Sequence, residues 1–148
     1  NRLIRMRAQA MSTRTFPSIA PMDAGLPKSE FVKFKQEGVL RIIELSRPSA
    51  LNALNQEMVD AMRSALSIWH STETCSSVII CGAPRPDGKR VFCAGGDVVS
   101  LVKSGNLAKQ TAFFKREYGL NHQIGTFPKP IISLLDGIVS TNEAIIAF

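Results

Sequence analysis

Val78-Ile79-Ile80-Cys81 is an unbroken apolar run stopped by Gly82, and it constrains the fold more than any other stretch of the 148-residue chain. A run so short and so continuously apolar reads as a buried strand, so other elements must cover it. The elements before it are legible. Phe31-Val32-Lys33-Phe34-Lys35 alternates apolar and polar residues, Glu37-Gly38 reads as a turn, and Val39 to Leu45 reads as a second strand ended by Pro48. The pair predicts a β-hairpin. Next, Met58, Ala61, Met62, Ala65, Leu66 and Trp69 fall on one helical face. The spacing predicts a helix from Asn55 to Trp69, with Asn55 as N-cap and Glu57 as the acid of the first turn. These apolar side chains are core residues and need no cofactor to explain them.

Beyond the apolar strand, two prolines and Asp87-Gly88 mark residues 83–90 as a loop. Val91-Phe92-Cys93 is a brief extended piece, and Ala94-Gly95-Gly96-Asp97 turns the chain. A short helix is expected from Val98 and a longer one from about Leu107 to Ile124. Phe127-Pro128-Lys129-Pro130 breaks structure. Ile131 to Leu135 reads as another buried strand, ending at Asp136-Gly137. Strand pairs followed by helices, with buried strands among them, imply a mixed α/β layer architecture. A domain of this size buries about 68–70% of its unfolded surface.

Pro17, Pro21, Gly25 and Pro27 punctuate a linker, so residues 1–28 read as a tail and residues 29–148 as the folded part. The tail is basic. Residues 1–22 hold Arg2, Arg5, Arg7 and Arg14, no acid and several Ser and Thr, and so carry four of the six net positive charges. That composition is transit-like and points to a mitochondrial protein, with a plain basic tail or a nucleic-acid arm as the other readings. The chain opens on Asn1 rather than Met. A composition of 45% hydrophobic and 20% charged residues excludes a disordered, collagen-like or coiled-coil chain. No apolar run reaches the roughly 18 residues of a membrane span. Cys75, Cys81 and Cys93 are odd in number and form no CxxC pair, which fits free thiols; with His70 and His122 they make no zinc pattern.

The stretch with chemical character is Phe92 to Asp97. Two adjacent glycines after a strand admit positive φ and leave no Cβ over the backbone, so a ligand can approach the amides directly. With Asp97 capping the next helix, such a turn suits an oxyanion or a polarised carbonyl. It is no phosphate loop, since neither GxGxxG nor GxxxxGK[ST] occurs. Cys93 has no base near it in sequence and is a poor nucleophile candidate. Glu117, taken by itself, belongs on a solvated helix face beside Lys115 and Arg116.

Ser46-Arg47-Pro48-Ser49-Ala50-Leu51-Asn52-Ala53-Leu54 resembles the N-R-P-x-x-L-N-A-L segment of the enoyl-CoA hydratase/isomerase (crotonase) superfamily. Val91 to Asp97 resembles its F-C-A-G-G-D segment. Phe113 to Asn121, followed by Lys129-Pro130, is similar to the F-F-x-x-E-Y-x-L-N…K-P run of the 3-hydroxyisobutyryl-CoA hydrolases within that superfamily. Enoyl-CoA hydratases lack this third run, which ranks a hydratase or isomerase lower. The resemblance covers residues 37–139, and it implies an α/β crotonase-like ββα spiral fold of which this chain is the N-terminal, truncated part. It also implies roles. Ser49, Ala50 and Leu51 would lie along the CoA nucleotide, and Ala94 and Asp97 would help form the adenine and pantetheine groove. The Gly96 amide would be one of two catalytic donors to the thioester oxygen, and Glu117 would reach the acyl group. The implied reaction is hydrolysis of a short hydroxyacyl-CoA thioester in mitochondrial valine breakdown. Coenzyme A enters as part of the substrate, with no separate cofactor and no metal. A homo-oligomer or larger assembly is the implied partner, and no membrane is.

After Asp136-Gly137-Ile138-Val139 the family continues M-G-G-G, whose middle glycine supplies the second donor. Here Ser140-Thr141-Asn142-Glu143 stands there, with Asn142 in the critical slot. A residue with a Cβ resists glycine-only backbone angles. The family's later glutamate and aspartate have no counterpart in these 148 residues, so the chain alone is expected to lack thioesterase activity. Ser140-x-x-Glu143 equally fits a capping box before Ala144 to Phe148. A second reading is a non-catalytic homologue serving as a structural component, such as one of the mitochondrial ribosome, with the basic tail on RNA. Against it, residues 23–148 carry only +2 and show no basic-aromatic interleaving.

Overall fold

The computed structural model describes residues 25–140. The basic tail and the capping box past Ser140 lie outside the described residues.

The predicted hairpin is present. Strands β1 (Val32–Glu37) and β2 (Leu40–Leu45) pair antiparallel with Glu37 opposite Leu40, and Gly38 takes φ +59° at the turn. Alternation puts Arg41, Ile43 and Leu45 on the covered side of β2. Arg41 is fully buried there, and its guanidinium donates to the Gly38 carbonyl (3.2 Å) and to Thr74 Oγ1 (3.0 Å). Helix α1 (Gln56–Ser71) follows, and Asn55 Oδ1 accepts from the Met58 amide at 2.9 Å, the predicted cap. Glu57 does more than face the dipole, because it accepts from Ser29 Oγ (2.7 Å) and the Glu30 amide (3.1 Å), tying the entry of β1 to the helix. At the other end, Lys129 Nζ donates to the carbonyls of Trp69 and Thr72, adding a charged donor to the weak Thr72 amide bond (3.3 Å) that closes the helix.

Strand β3 (Ser77–Gly82) holds the apolar run and lies inside the sheet, parallel to β2 on one side and to β5 (Ile131–Ser133) on the other. The order is β1-β2-β3-β5. Val78 and Ile80 are inaccessible and share one core with Met58, Met62, Leu66 and Trp69 of α1. Trp69 meets the Phe34 ring edge-on at 5.8 Å. After β4 (Val91–Cys93) come α2 (Val98–Lys103) and α3 (Leu107–Gly125), whose Phe113, Leu120 and Ile124 close over the same core. Among the described residues no helix is long and apolar enough to cross a membrane.

Two expectations need correction. The strand from Ile131 ends at Ser133, and it is not buried: Ile132, Leu134 and Leu135 are 47%, 51% and 50% exposed. The reason is position, since β5 is the edge of its sheet among the described residues. In addition, Ile138–Val139 forms a short strand, β6, parallel to β4, which periodicity did not reveal. Gly137 makes that pairing feasible. It takes φ +85°, and a Cβ there would lie 2.0 Å from the Arg90 carbonyl oxygen.

Candidate ligand groove and donor loop

The groove is built from two loops laced together. The first, Arg47 to Leu54, connects β2 to α1. Pro48 opens a 3-10 turn over Pro48–Ala50, and Leu51 and Asn52 then both adopt left-handed backbone, φ +53° and +54°. The second, Ala94 to Asp97, connects β4 to α2, with Gly95 at φ +96°. The Ala94 amide donates to Leu51 O (3.0 Å), the Leu54 amide to Gly95 O (2.8 Å) and the Asp97 amide to Leu54 O (2.9 Å).

A charged pair reinforces this lacing. Arg47 Nη1 meets Asp97 Oδ2 at 2.7 Å and also donates to the Ala53 carbonyl at 3.1 Å. Its guanidinium lies 5.7 Å from the Phe31 ring centroid. Asp97 caps α2 through the Ser100 amide (3.0 Å) and hydroxyl (2.8 Å). Burial raises the Asp97 carboxyl. The Ser100 amide, the Arg47 guanidinium and the Ser100 hydroxyl outweigh it and hold the group below its ordinary value.

Six of the predicted residues meet in one place: Ser49, Ala50, Leu51, Ala94, Gly96 and Asp97 line a single open groove of about 580 Å³. Glu117 does not line it. It stands on α3 behind Gly96 and is only 6% exposed, which corrects the solvated-face expectation. Arg116 pairs instead with Asp60 at 2.8 Å. A Cβ at Gly96 would lie 2.7 Å from Glu117 Oε1 and 3.2 Å from the Phe113 ring, so glycine is required there for close approach. The arrangement sets the Gly96 backbone between a buried carboxylate and a cavity of ligand size.

Arg47 and Asn52 were not picked out by sequence reasoning as site residues. Their position inside the N-R-P-x-x-L-N-A-L segment was the signal available. Cys93 is buried with Sγ 3.3 Å from the Asn52 carbonyl, and burial followed by the Glu44 charge raises the Cys81 thiol, so neither is an activated nucleophile. Among the described residues no group of three His, Cys, Asp or Glu could hold a metal ion.

The family model described as enoyl-CoA hydratase/isomerase matches residues 40–140. The mitochondrial 3-hydroxyisobutyryl-CoA hydrolase of Danio rerio is 42% identical over 110 residues, 72% of this chain and 28% of its own length. The small ribosomal subunit protein mS47 of Neurospora crassa is 37% identical over 114 residues, 74% of this chain and 22% of its own. Among solved structures, a carnitinyl-CoA dehydratase from Mycobacterium thermoresistibile superposes with a TM-score of 0.68 at 39% identity, covering 75% of this chain and 32% of that one. The chain thus spans about a quarter of the length of these curated relatives.

Proposed function

The chain belongs to the enoyl-CoA hydratase/isomerase family, and we propose from that membership that its groove holds the nucleotide end of a short hydroxyacyl-CoA thioester in the mitochondrion. In this reading Ser49, Ala50 and Leu51 follow the nucleotide, and Ala94 and Asp97 shape the passage of the pantetheine arm. The Gly96 amide meets the thioester oxygen, and Glu117 serves the acyl end. The reaction is thioester hydrolysis of the 3-hydroxyisobutyryl-CoA type, with coenzyme A supplied by the substrate. An amide donor at the oxygen accelerates the step because charge gathers there only as the transition state forms, and losing one typically lowers the rate about 10²–10³-fold. A second donor belongs where Thr141-Asn142-Glu143 stands, so no thioester hydrolysis is expected of these 148 residues.

The observation that carries the reading is the convergence of Ser49, Ala50, Leu51, Ala94, Gly96 and Asp97 on one cavity, from loops more than forty residues apart. The test is calorimetric titration of the full chain with coenzyme A, alongside thiol release from 3-hydroxyisobutyryl-CoA. Saturable binding without turnover is the expected result for these 148 residues. Absence of binding would defeat the proposal. It would favour the second reading, a non-catalytic structural component, which the likeness to a ribosomal subunit protein supports. An enoyl-CoA hydratase or isomerase stays behind both, for want of the Phe113–Asn121 run.

A further inference from the structure

Leu51 and Asn52 hold two consecutive left-handed backbones, φ +53° and +54°, in residues that carry a Cβ. Such a pair is unfavourable for L-residues, and leucine has no polar side chain to compensate it locally. Backbone bonds hold part of the turn, with the Asn52 amide donating to Arg47 O and the Ala94 amide to Leu51 O, both at 3.0 Å. The side-chain part of the compensation comes from the Asn52 carboxamide, which is completely buried. Its Oδ1 accepts from the Arg47 amide at 2.9 Å, closing the loop on itself. Its Nδ2 donates to the carbonyls of Ala83 and Val91, both at 3.1 Å, anchoring the loop to the exit of β3 and the start of β4. Gly82 makes room for this: a Cβ there would lie 2.1 Å from the Val91 carbonyl oxygen and 2.9 Å from Asn52 Nδ2. One acceptor and two donors are all engaged, a set that Asp cannot supply and Leu lacks entirely.

We infer that Asn52 is a positioning residue for the nucleotide end of the ligand. Its carboxamide keeps the strained Leu51–Asn52 backbone in place, so that Ser49, Ala50 and Leu51 stand as a preformed wall of the groove. The side chain itself does not line the groove and acts only through these three residues. The inference rests on the proposed binding of CoA thioesters.

Two ligands separate the wall from the rest of the groove: coenzyme A, which carries the nucleotide, and pantetheine, which does not. Both are titrated into the full chain and into two variants, with circular dichroism and melting recorded in parallel. Asn52→Gly accepts φ +54° without strain but has no carboxamide. Asn52→Asp keeps the size but turns an oxygen toward the Ala83 and Val91 carbonyls. The wild type is expected to bind coenzyme A more tightly than pantetheine. In a folded variant the Kd for coenzyme A should rise about tenfold or more while that for pantetheine stays within about twofold. An unchanged preference for coenzyme A in folded Asn52→Gly overturns the inference and leaves the functional reading standing. Equal loss of both ligands overturns it too, as does failure of both variants to fold, because the carboxamide then supports the whole fold rather than the wall. A wild type that does not prefer coenzyme A overturns the functional reading and this inference with it.

Discussion

At the scale of single residues, the contact between Gly96 and Glu117 is steric before it is chemical. A methyl group at Gly96 must displace a carboxylate 2.7 Å away, and that carboxylate is buried. Gly96→Ala is therefore expected to destabilise the chain by about 1–3 kcal/mol in urea unfolding. Combined with Glu117→Ala, the two changes should be non-additive by at least about 0.5 kcal/mol, since the second removes the obstacle. Strict additivity would mean the two residues do not touch. Asp97 makes a prediction of opposite kind. Its folded-state pKa is depressed, so its contribution is fully present above the ordinary carboxylate value of about 3.9 and is lost as pH falls below that value. Unfolding curves at pH 6 and pH 3 should diverge less in Asp97→Asn than in the wild type; an equal divergence would remove Asp97 from the acid response.

At the scale of elements, α1 illustrates how unequal two charged contacts can be. Lys129 closes the C-terminal carbonyls of the helix from a partly buried position, whereas Arg116 meets Asp60 with both side chains about half exposed. Lys129→Met should cost about 1 kcal/mol and Arg116→Ala less than about 0.5 kcal/mol, both read from denaturant midpoints. Reversal of that order would show that the surface pair is the stronger one. The elements also differ in how far sequence reveals them. α1 and β3 were legible because their signals are local: a 3.6-residue apolar face with an Asn cap, and an apolar run ended by glycine. β6 was not, because two residues carry no periodicity and its partner lies 47 positions away. In the site, the six groove residues could be named in advance through recognisable motifs. The contacts of Asn52, beyond its motif position, and the burial of Glu117 could not, since both depend on distant segments: Ala83 and Val91 for the one, Gly96 for the other.

At the scale of the molecule, the described residues leave an apolar stretch exposed. Ile132, Leu134, Leu135 and Ile138, each 46–51% exposed, lie in or beside β5 and β6, and among the described residues β5 is an edge of the four-stranded sheet. Exposed edges with apolar neighbours promote association. The 148-residue chain should bind hydrophobic dyes and elute above monomer mass in light-scattering chromatography, and a Leu134→Lys, Leu135→Lys pair should reduce both. A monodisperse wild type with low dye binding would contradict this. The sheet order carries a kinetic consequence as well. β1 and β2 meet across a two-residue turn and β3 joins through α1, but β5 and β6 are recruited across 53 and 47 positions. Loop closure favours the near pairings, so the hairpin, α1 and β3 are expected to form the folding nucleus, while the groove is assembled on the native side of the barrier. Substitutions at Gly96 or Asn52 should then speed unfolding in stopped-flow experiments and leave the refolding rate almost unchanged. The groove would thus be the last part of the chain to assemble and the first to open.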